Sequence, residues 1–369
     1  MRALRLALLV LAAPACALVV GLEDKERAGA DASDGATSAE GGGSAVETLA
    51  TQQDHPTSLA LDATHVYWVN EGGQLRRRAK GPTAVPETMA QGLATPRWIA
   101  VDGQYAFWAA TNAPQVKNDA GAPARQIIVG RVDKTRPNQP EEIYGGDYNG
   151  NVRLLALFDG YGASGSDAAS ASDGFIFTVF SQSSNNDAVR RYARTGNSNE
   201  TNLAQNQDGV SALAADETRL YWAVRQTREL RARLKDGNVQ PDRLATLPDI
   251  ATDLAVDPAF VYALLANGAV YRVDKSRPDS LERVTQAPAG GQRLAVDDAR
   301  VYFTIGIDGD ANGQVYTALK SPGGDPPTLL ASFQGEPRGV AVEQDPLTRK
   351  KSVYFVARSE GSVKRVALP

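Results

Sequence analysis

Beyond Ser44 the chain is a succession of short apolar runs, each too brief for an ordinary helix and each bounded by turn-forming residues. The runs come in pairs. A first run of small and branched side chains ends on an acid; a two- or three-residue turn follows, and a second run carries the aromatics. The pair reads SLALD then HVYWVN (Ser58–Asp62, His65–Asn70), and WIAVD then YAFWAA (Trp98–Asp102, Tyr105–Ala110). It returns as LALFD then GFIFTVF (Leu155–Asp159, Gly174–Phe180) and as ALAAD then RLYWAV (Ala212–Asp216, Arg219–Val224). Three further copies, DLAVD/FVYALL, RLAVD/RVYFTI and GVAVE/SVYFVA, end their first runs at Asp257, Asp297 and Glu343.

The acids are spaced by 40, 57, 57, 41, 40 and 46 residues. Periods of about 40–50 residues, with four strands in each, are the signature of a propeller blade. The long intervals carry insertions, Asn112–Arg125 and Tyr161–Ser172. Each copy continues with an Arg- and Val-rich strand and, in all but the seventh, a short polar–apolar one, as in QLRRRAK and PETMAQG. The linkers VDKTRP (Val132–Pro137) and VDKSRP (Val273–Pro278) nearly repeat each other, which points to internal duplication.

The seventh copy supplies three strands (Arg338–Glu343, Ser352–Ala357, Ser362–Leu368) before Pro369, and lacks a fourth. Val46–Thr51 reads as a fourth strand without its first three. Pairing the two closes a ring and protects sheet edges that would otherwise invite association. The expectation is an all-β fold: a seven-bladed β-propeller over residues 46–369, closed by the N-terminal strand completing the last blade.

The aromatic second strands, HVYWVN and RLYWAV above all, resemble the YWTD-type propellers of receptor ectodomains and related bacterial cell-surface proteins. The resemblance covers Thr57–Pro369 in pattern. Tyr67-Trp68-Val69-Asn70 is the nearest to the family tetrad, whereas Tyr262-Ala263-Leu264-Leu265 keeps only the tyrosine. That family commonly has six blades and this chain has seven copies. The resemblance implies recognition of a protein or a glycan and carries over no particular ligand.

Upstream of the repeats the composition changes. Arg2 and Arg5 precede an apolar run, Leu6–Ala13, and then Pro14-Ala15-Cys16. A charged start, a short apolar stretch and small residues before a cleavage point make an export signal, residues 1–15, and a spanning helix would need about 20 apolar residues. Cys16 is the sole cysteine. Its setting resembles a bacterial lipoprotein box, in which the cysteine is lipidated, although Ala13 stands where such boxes usually have leucine. General signal-peptidase cleavage after Ala13-Pro14-Ala15 is the alternative, giving a secreted protein. Asp24–Ser44 has almost no large apolar side chain, so it cannot offset its ordering entropy. Residues 16–45 then form a tether, of which Asp24–Ser44 alone reaches roughly 25 Å on average.

Charge removes one class of partner. With 39 basic and 43 acidic residues, a net charge of −4 and no basic stripe, the chain has no nucleic-acid footprint. Arg76-Arg77-Arg78 falls in a strand, where alternate side chains diverge, and reads as a solvated edge or as ion pairs between blades. The recurring Asp62, Asp102, Asp216, Asp257 and Asp297 read as strand-end acids that fix turns through backbone hydrogen bonds. Trp68, Trp108 and Trp222 occupy one repeat position and read as packing between blades. Trp98 lies outside that register, on a first strand beside the central channel, and is the candidate ligand contact.

His55 and His65 are the only histidines, too few for a His-based metal site. No nucleophile elbow is present. Seven-bladed lyases acting on cyclic antibiotics share the architecture, which leaves an enzyme with a carboxylate-based site at the channel mouth as the alternative function. One local motif could hold calcium: Asp308, Asp310 and Asn312 alternate and close on Gly313, like the first half of a calcium loop. Position twelve is Leu319 rather than an acid, and a simple Gly/Asp/Asn turn explains the segment without Ca2+. The expected activity is therefore binding: an envelope-tethered, lipid-anchored propeller that takes a protein or glycan through loops on one face.

Overall fold

A computed structural model describes residues 45–368, except 111–125, 147–150, 158–174, 184–185, 195–200, 236–239, 310, 324–325 and 346–347. It contains 28 strands, β1–β28, and no helix among the described residues. The strands form seven four-stranded antiparallel sheets. Six sheets are consecutive meanders, such as β2 (Pro56–Leu61), β3 (His65–Asn70), β4 (Gln74–Ala79) and β5 (Glu87–Ala90). We call the four positions in each blade A, B, C and D.

The A strands are β2, β6 (Pro96–Val101), β10 (Asn151–Leu157), β14 (Val210–Ala215), β18 (Ala251–Val256), β22 (Gly291–Val296) and β26 (Ala341–Gln344). Each packs beside the next around the centre, and β26 packs beside β2, so the ring closes on itself. The seven-bladed all-β propeller expected from the repeats is the fold of the chain.

Each blade is covered on both faces, which is why the A and B runs are nearly continuous in apolar residues. Leu59 packs toward blade 7 with Tyr354 and Val356, whereas its neighbour Ala60 packs toward blade 2 with Ile99 and Trp108. Successive strand residues point to opposite faces, so one strand serves two blade joints. Trp68, Trp108 and Trp222 are fully buried in these joints, as their shared register predicts.

The seventh sheet is β1-β28-β27-β26, with β1 (Val46–Ala50) hydrogen-bonded to β28 (Ser362–Ala367) and β28 to β27 (Lys351–Ala357). Val46 pairs with Val366, Glu47 with Arg365 and Thr48 with Lys364. Leu49 and Ala50 are buried between the last blade and the first. Strand β26 starts at Ala341, later than the sequence pattern suggests. Pro337, which has no N–H, makes only an isolated bridge to Ala357, and Arg338 N donates to Val356 O at 3.4 Å, so the chain runs beside β27 before regular pairing begins.

An up-and-down blade puts its A–B and C–D turns on one face of the ring and its B–C and D–A connections on the other. We call these the AB face and the BC face. The insertions Asn112–Arg125 and Tyr161–Ser172 lie outside the described residues. The strand ends that bound them do not share a face: β7 (Tyr105–Ala110) ends on the BC face, whereas β10 ends on the AB face.

Candidate functional site

The repeated acids are structural, and the structure shows how. Asp62 Oδ1 accepts the amides of Thr64 and His65, both at 2.8 Å, and Oδ2 accepts the Tyr67 hydroxyl at 2.7 Å. Asp216 does the same with Thr218, Arg219 and Tyr221, and Asp257 and Asp297 hold the equivalent turns of blades 5 and 6. Each acid also receives a cation from the following blade. Lys134 reaches Asp62 at 2.6 Å, Lys275 reaches Asp216 at 2.6 Å and Lys351 reaches Asp297 at 2.7 Å. Lys80 closes the ring onto Glu343 at 2.6 Å, and Lys320 pairs with Asp257. Between blades 3 and 2 the pair is Arg194 and Asp102, 2.9 Å apart and almost wholly buried.

The result is a belt of inter-blade ion pairs around the AB face. Burial pushes the Asp62 carboxyl up, but Lys134, the Thr64 amide and the Tyr67 hydroxyl outweigh it and hold the group well below the usual carboxylate range. Asp216 and Asp257 are lowered by the same set of partners. The belt cations were not recognised from sequence. For five of them the signal is a basic residue closing the third strand, Lys80, Lys134, Arg194, Lys275 and Lys320; Lys351 instead opens the second strand of blade 7.

The three consecutive arginines are neither a solvated edge nor ion pairs between blades: their one ion pair among the described residues, Arg77 with Glu87, lies within blade 1, and blade 2 is reached through a backbone carbonyl. Arg76 donates to Gln53 at 2.9 Å, Arg77 pairs with Glu87 at 2.6 Å and donates to Lys134 O at 2.7 Å, and Arg78 caps the carbonyls of Ala79, Pro82 and Ala84.

The BC face has no such repeat. At its centre the A strands begin with a bulge: pairing with the B strand skips a residue at Thr57, Arg97, Arg153, Ser211 and Thr252, and skips both Gln292 and Arg293 in blade 6. Bulges re-aim side chains and often border functional sites. In blades 1 and 5 the skipped residue is a threonine that turns back to a B-strand carbonyl, Val69 O at 3.4 Å and Leu264 O at 3.2 Å. In blade 2 it is an arginine, and blade 7 has Arg338 at the matching place in the sequence.

These arginines join a network at the mouth of the channel. Arg97 pairs with Glu71; Arg358 holds Glu71 at 2.9 Å and Glu336 at 2.6 Å. Glu336 also accepts the Gly309 amide, and Arg338 pairs with Asp308 while donating to Gln292 Oε1 at 3.2 Å. Glu336 has a left-handed backbone, φ 49°, as do His55 and Thr95 at the matching positions of blades 1 and 2, where blades 4 and 6 have Gly209 and Gly290. A non-glycine residue there is strained, and burial with Arg358 fixes it in place. The Glu71 hydrogen bonds push Arg358 up, while burial of Glu336 is outweighed by Arg358 and the Gly309 amide, so that acid is lowered.

Deeper on the same inner strands, Asp253 of blade 5 and Arg293 of blade 6 occupy the position that holds Ser58, Trp98 and Ala212 in blades 1, 2 and 4. Asp253 Oδ2 accepts the Leu294 amide at 2.9 Å. Burial pushes its carboxyl up to about 6, against the pull of Arg293 and two backbone amides. Burial likewise lowers Arg293, with Asp253 opposing and Arg338 reinforcing the shift. Neither residue stands out in the sequence, because each occurs at its repeat position once.

Trp98 lies in that same register, on the inner strand of blade 2, half-buried against a cluster that includes Phe107, Ile143 and Tyr192. Asp308 is exposed and engaged by Arg338. Asp310 lies outside the described residues, Asn312 has a partner of its own, and no group of three or more His, Cys, Asp or Glu side chains comes together among the described residues. Cys16 and the tether also lie outside them.

No family model matches the chain, and no curated protein matches it. Solved structures do. The WD40 β-propeller domain of Doa1 aligns with a TM-score of 0.58 at 13% identity, over 88% of this chain and 97% of that one. Virginiamycin B lyase from Staphylococcus aureus aligns at 0.59 and 12%, over 88% and 99%. YCF48 bound to D1 peptide aligns at 0.56 and 13%, over 88% and 95%. At these identities the likeness is one of fold.

Proposed function

We propose that this propeller is a binding protein, held at the cell envelope by a lipid on Cys16, that takes a protein or glycan partner on its BC face. The observation that supports the face is the contrast between the two ends of the ring. On the AB face one acid and one cation recur from blade to blade and are consumed in stapling blades together. On the BC face the charged residues are singular: Arg97, Glu71, Arg358, Glu336 and Arg338 form one connected network across blades 2, 1 and 7, and reach Asp308 in blade 6. A rigid ring presenting non-repeating polar side chains beside a channel is the arrangement on which propellers build recognition. Among structures of similar fold, one is of YCF48 bound to D1 peptide and another is of the Mitotic Checkpoint Complex. The lipid anchor rests on the order of Arg2, Arg5, Leu6–Ala13 and Cys16.

The test is crosslinked capture from envelope fractions with wild-type protein, Arg97→Glu and Arg338→Glu, and with Arg243→Glu as a control in an exposed ion pair with Asp279. Loss of the captured partner in the two mouth variants only is the expected result. Equal capture by all four proteins removes the BC face from consideration. Cys16→Ser is expected to move the protein out of the membrane fraction. The second reading, an enzyme, rests on Asp253, an acid near neutrality in the channel beside Arg293. Turnover in hydrolase or lyase screens that disappears in Asp253→Asn would select it.

A further inference from the structure

Arg293 differs from the other arginines of the mouth. Arg97, Arg338 and Arg358 each meet a carboxylate. Among the described residues the Arg293 side chain makes a single hydrogen bond, from Nη1 to Gln292 O at 3.2 Å, and reaches no carboxylate within ion-pair distance. A guanidinium offers five N–H donors in a planar fork. The rest of this fork is not sealed into the core: the side chain is half-buried, and its nitrogens are not among the buried polar atoms without partners. Nε and Nη2, which have no partner among the described residues, are therefore not fully enclosed, even though the side chain is buried enough for desolvation to lower it.

The surroundings bias this fork toward an anion of one particular kind. The charged groups acting on Arg293 are Asp253, from the preceding A strand, and Arg338, from the following blade. Arg338 adds positive potential without closing on the Arg293 fork, since it is held by Asp308 and Gln292. Gly339 falls at the matching position of blade 7, so no side chain stands beside Arg293 there. Asp253 is committed through Oδ2 to the Leu294 amide. Its negative charge at neutral pH disfavours a dianion such as phosphate. A planar monoanion matches the fork geometry with two parallel N–H···O bonds.

We propose that Arg293 anchors a carboxylate group presented at the BC-face mouth of the channel. The carboxylate belongs either to a small organic acid or to an acidic side chain of a protein partner. This inference rests on the reading that the BC face is the binding face and gives that face its ligand chemistry. Asp253 tunes the site: as it takes up a proton, the repulsion between it and the bound carboxylate disappears. Among the described residues Arg293 is the one charged side chain that acts directly on Asp253, and a guanidinium does not deprotonate in that range.

The experiment is calorimetric titration of the full chain with formate and with N-acetylglycine, monocarboxylates that stay singly charged from pH 7 to pH 5, with an acidic peptide and its Gln-substituted counterpart, and with inorganic phosphate. The expected result is saturable binding of the carboxylates at about millimolar or tighter, weaker binding of phosphate, and a loss of about tenfold or more in Arg293→Gln. Arg293→Lys retains part of the affinity. Binding tightens from pH 7 to pH 5 in the wild type and not in Asp253→Asn, a readout that a merely structural role would not move. Binding of the small acids assigns the site to metabolite-sized ligands; binding of the acidic peptide alone assigns it to a protein side chain. Melting curves check that each variant is folded, and the wild-type pH series stands even where Arg293→Gln does not fold. No saturable carboxylate binding by the wild type, or undiminished binding by folded Arg293→Gln, overturns the proposal. If carboxylates fail while capture still depends on Arg97 and Arg338, the anchor is wrong and the BC-face reading survives. If both fail, the face reading falls too.

Discussion

Trp68 and Trp222 each place Nε1 3.0 Å from a glutamine oxygen, Gln53 and Gln207, that lies just before the next A strand. Arg76 and Arg231 donate to the same two oxygens at 2.9 and 2.7 Å. Blade 2 has the same tryptophan without the set. Trp108 Nε1 is buried without a partner; Gly130 lies opposite Trp108, where Arg76 lies opposite Trp68, and Leu93 takes the turn position of Gln53. An unmet buried donor costs about 1–3 kcal/mol. Gln53→Leu orphans both an indole and a guanidinium, so urea unfolding should show an unfolding free energy lowered by about that amount, read as a lower midpoint with an unchanged slope. Leu93→Gln supplies the missing acceptor and should match or exceed the wild type. A Leu93→Gln protein as unstable as Gln53→Leu would show that the Trp108 indole is already satisfied by water.

At the scale of elements, the ring depends on one five-residue strand. Strand β1 covers β28 and inserts Leu49 between blades 7 and 1. Leu49→Ala should cost about 2–5 kcal/mol through the cavity it leaves. Leu49→Asp should expel the strand altogether, and hydrogen exchange would then show loss of protection along Ser362–Ala367 while the sheets of blades 3–5 stay protected. Uniform loss over all seven blades would mean that closure and blade folding are one event. This strand was legible in the sequence because it is a remainder: seven copies lacked one strand, and Val46–Thr51 was an extra. The sheets and turns were legible because burial on both faces forces the apolar pattern to repeat. The mouth was not, for the converse reason. Arg293, Asp253 and Glu336 carry their chemistry by departing from the repeat, and a charged residue that occurs once looks like any solvated position until the ring brings it to the centre. Trp98 was legible only as an exception to the tryptophan register.

Across the whole molecule, the belt and the channel respond to acid with opposite sign. Asp62, Asp216 and Asp257 are held below their ordinary range by lysines, amides and tyrosine hydroxyls that outweigh burial. For such groups the folded state binds protons more weakly than the unfolded state. Their contribution is complete above the unfolded value of about 4 and is lost as pH falls through the lower folded values. Asp253 is raised to about 6 by burial, so its charged form opposes folding above that pH, and protonation relieves the opposition. The melting temperature should therefore rise slightly from pH 7 to pH 5 and then fall steeply below about pH 4. Asp253→Asn removes the shallow rise and leaves the steep fall. Asp216→Asn lowers stability at pH 7, because Lys275 and Tyr221 lose their acceptor, and it makes the fall shallower. These pairs are half-buried, so added salt screens them less than it would exposed ones. A steep fall that vanished in high salt would place acid sensitivity in exposed charges instead of the belt that joins the blades.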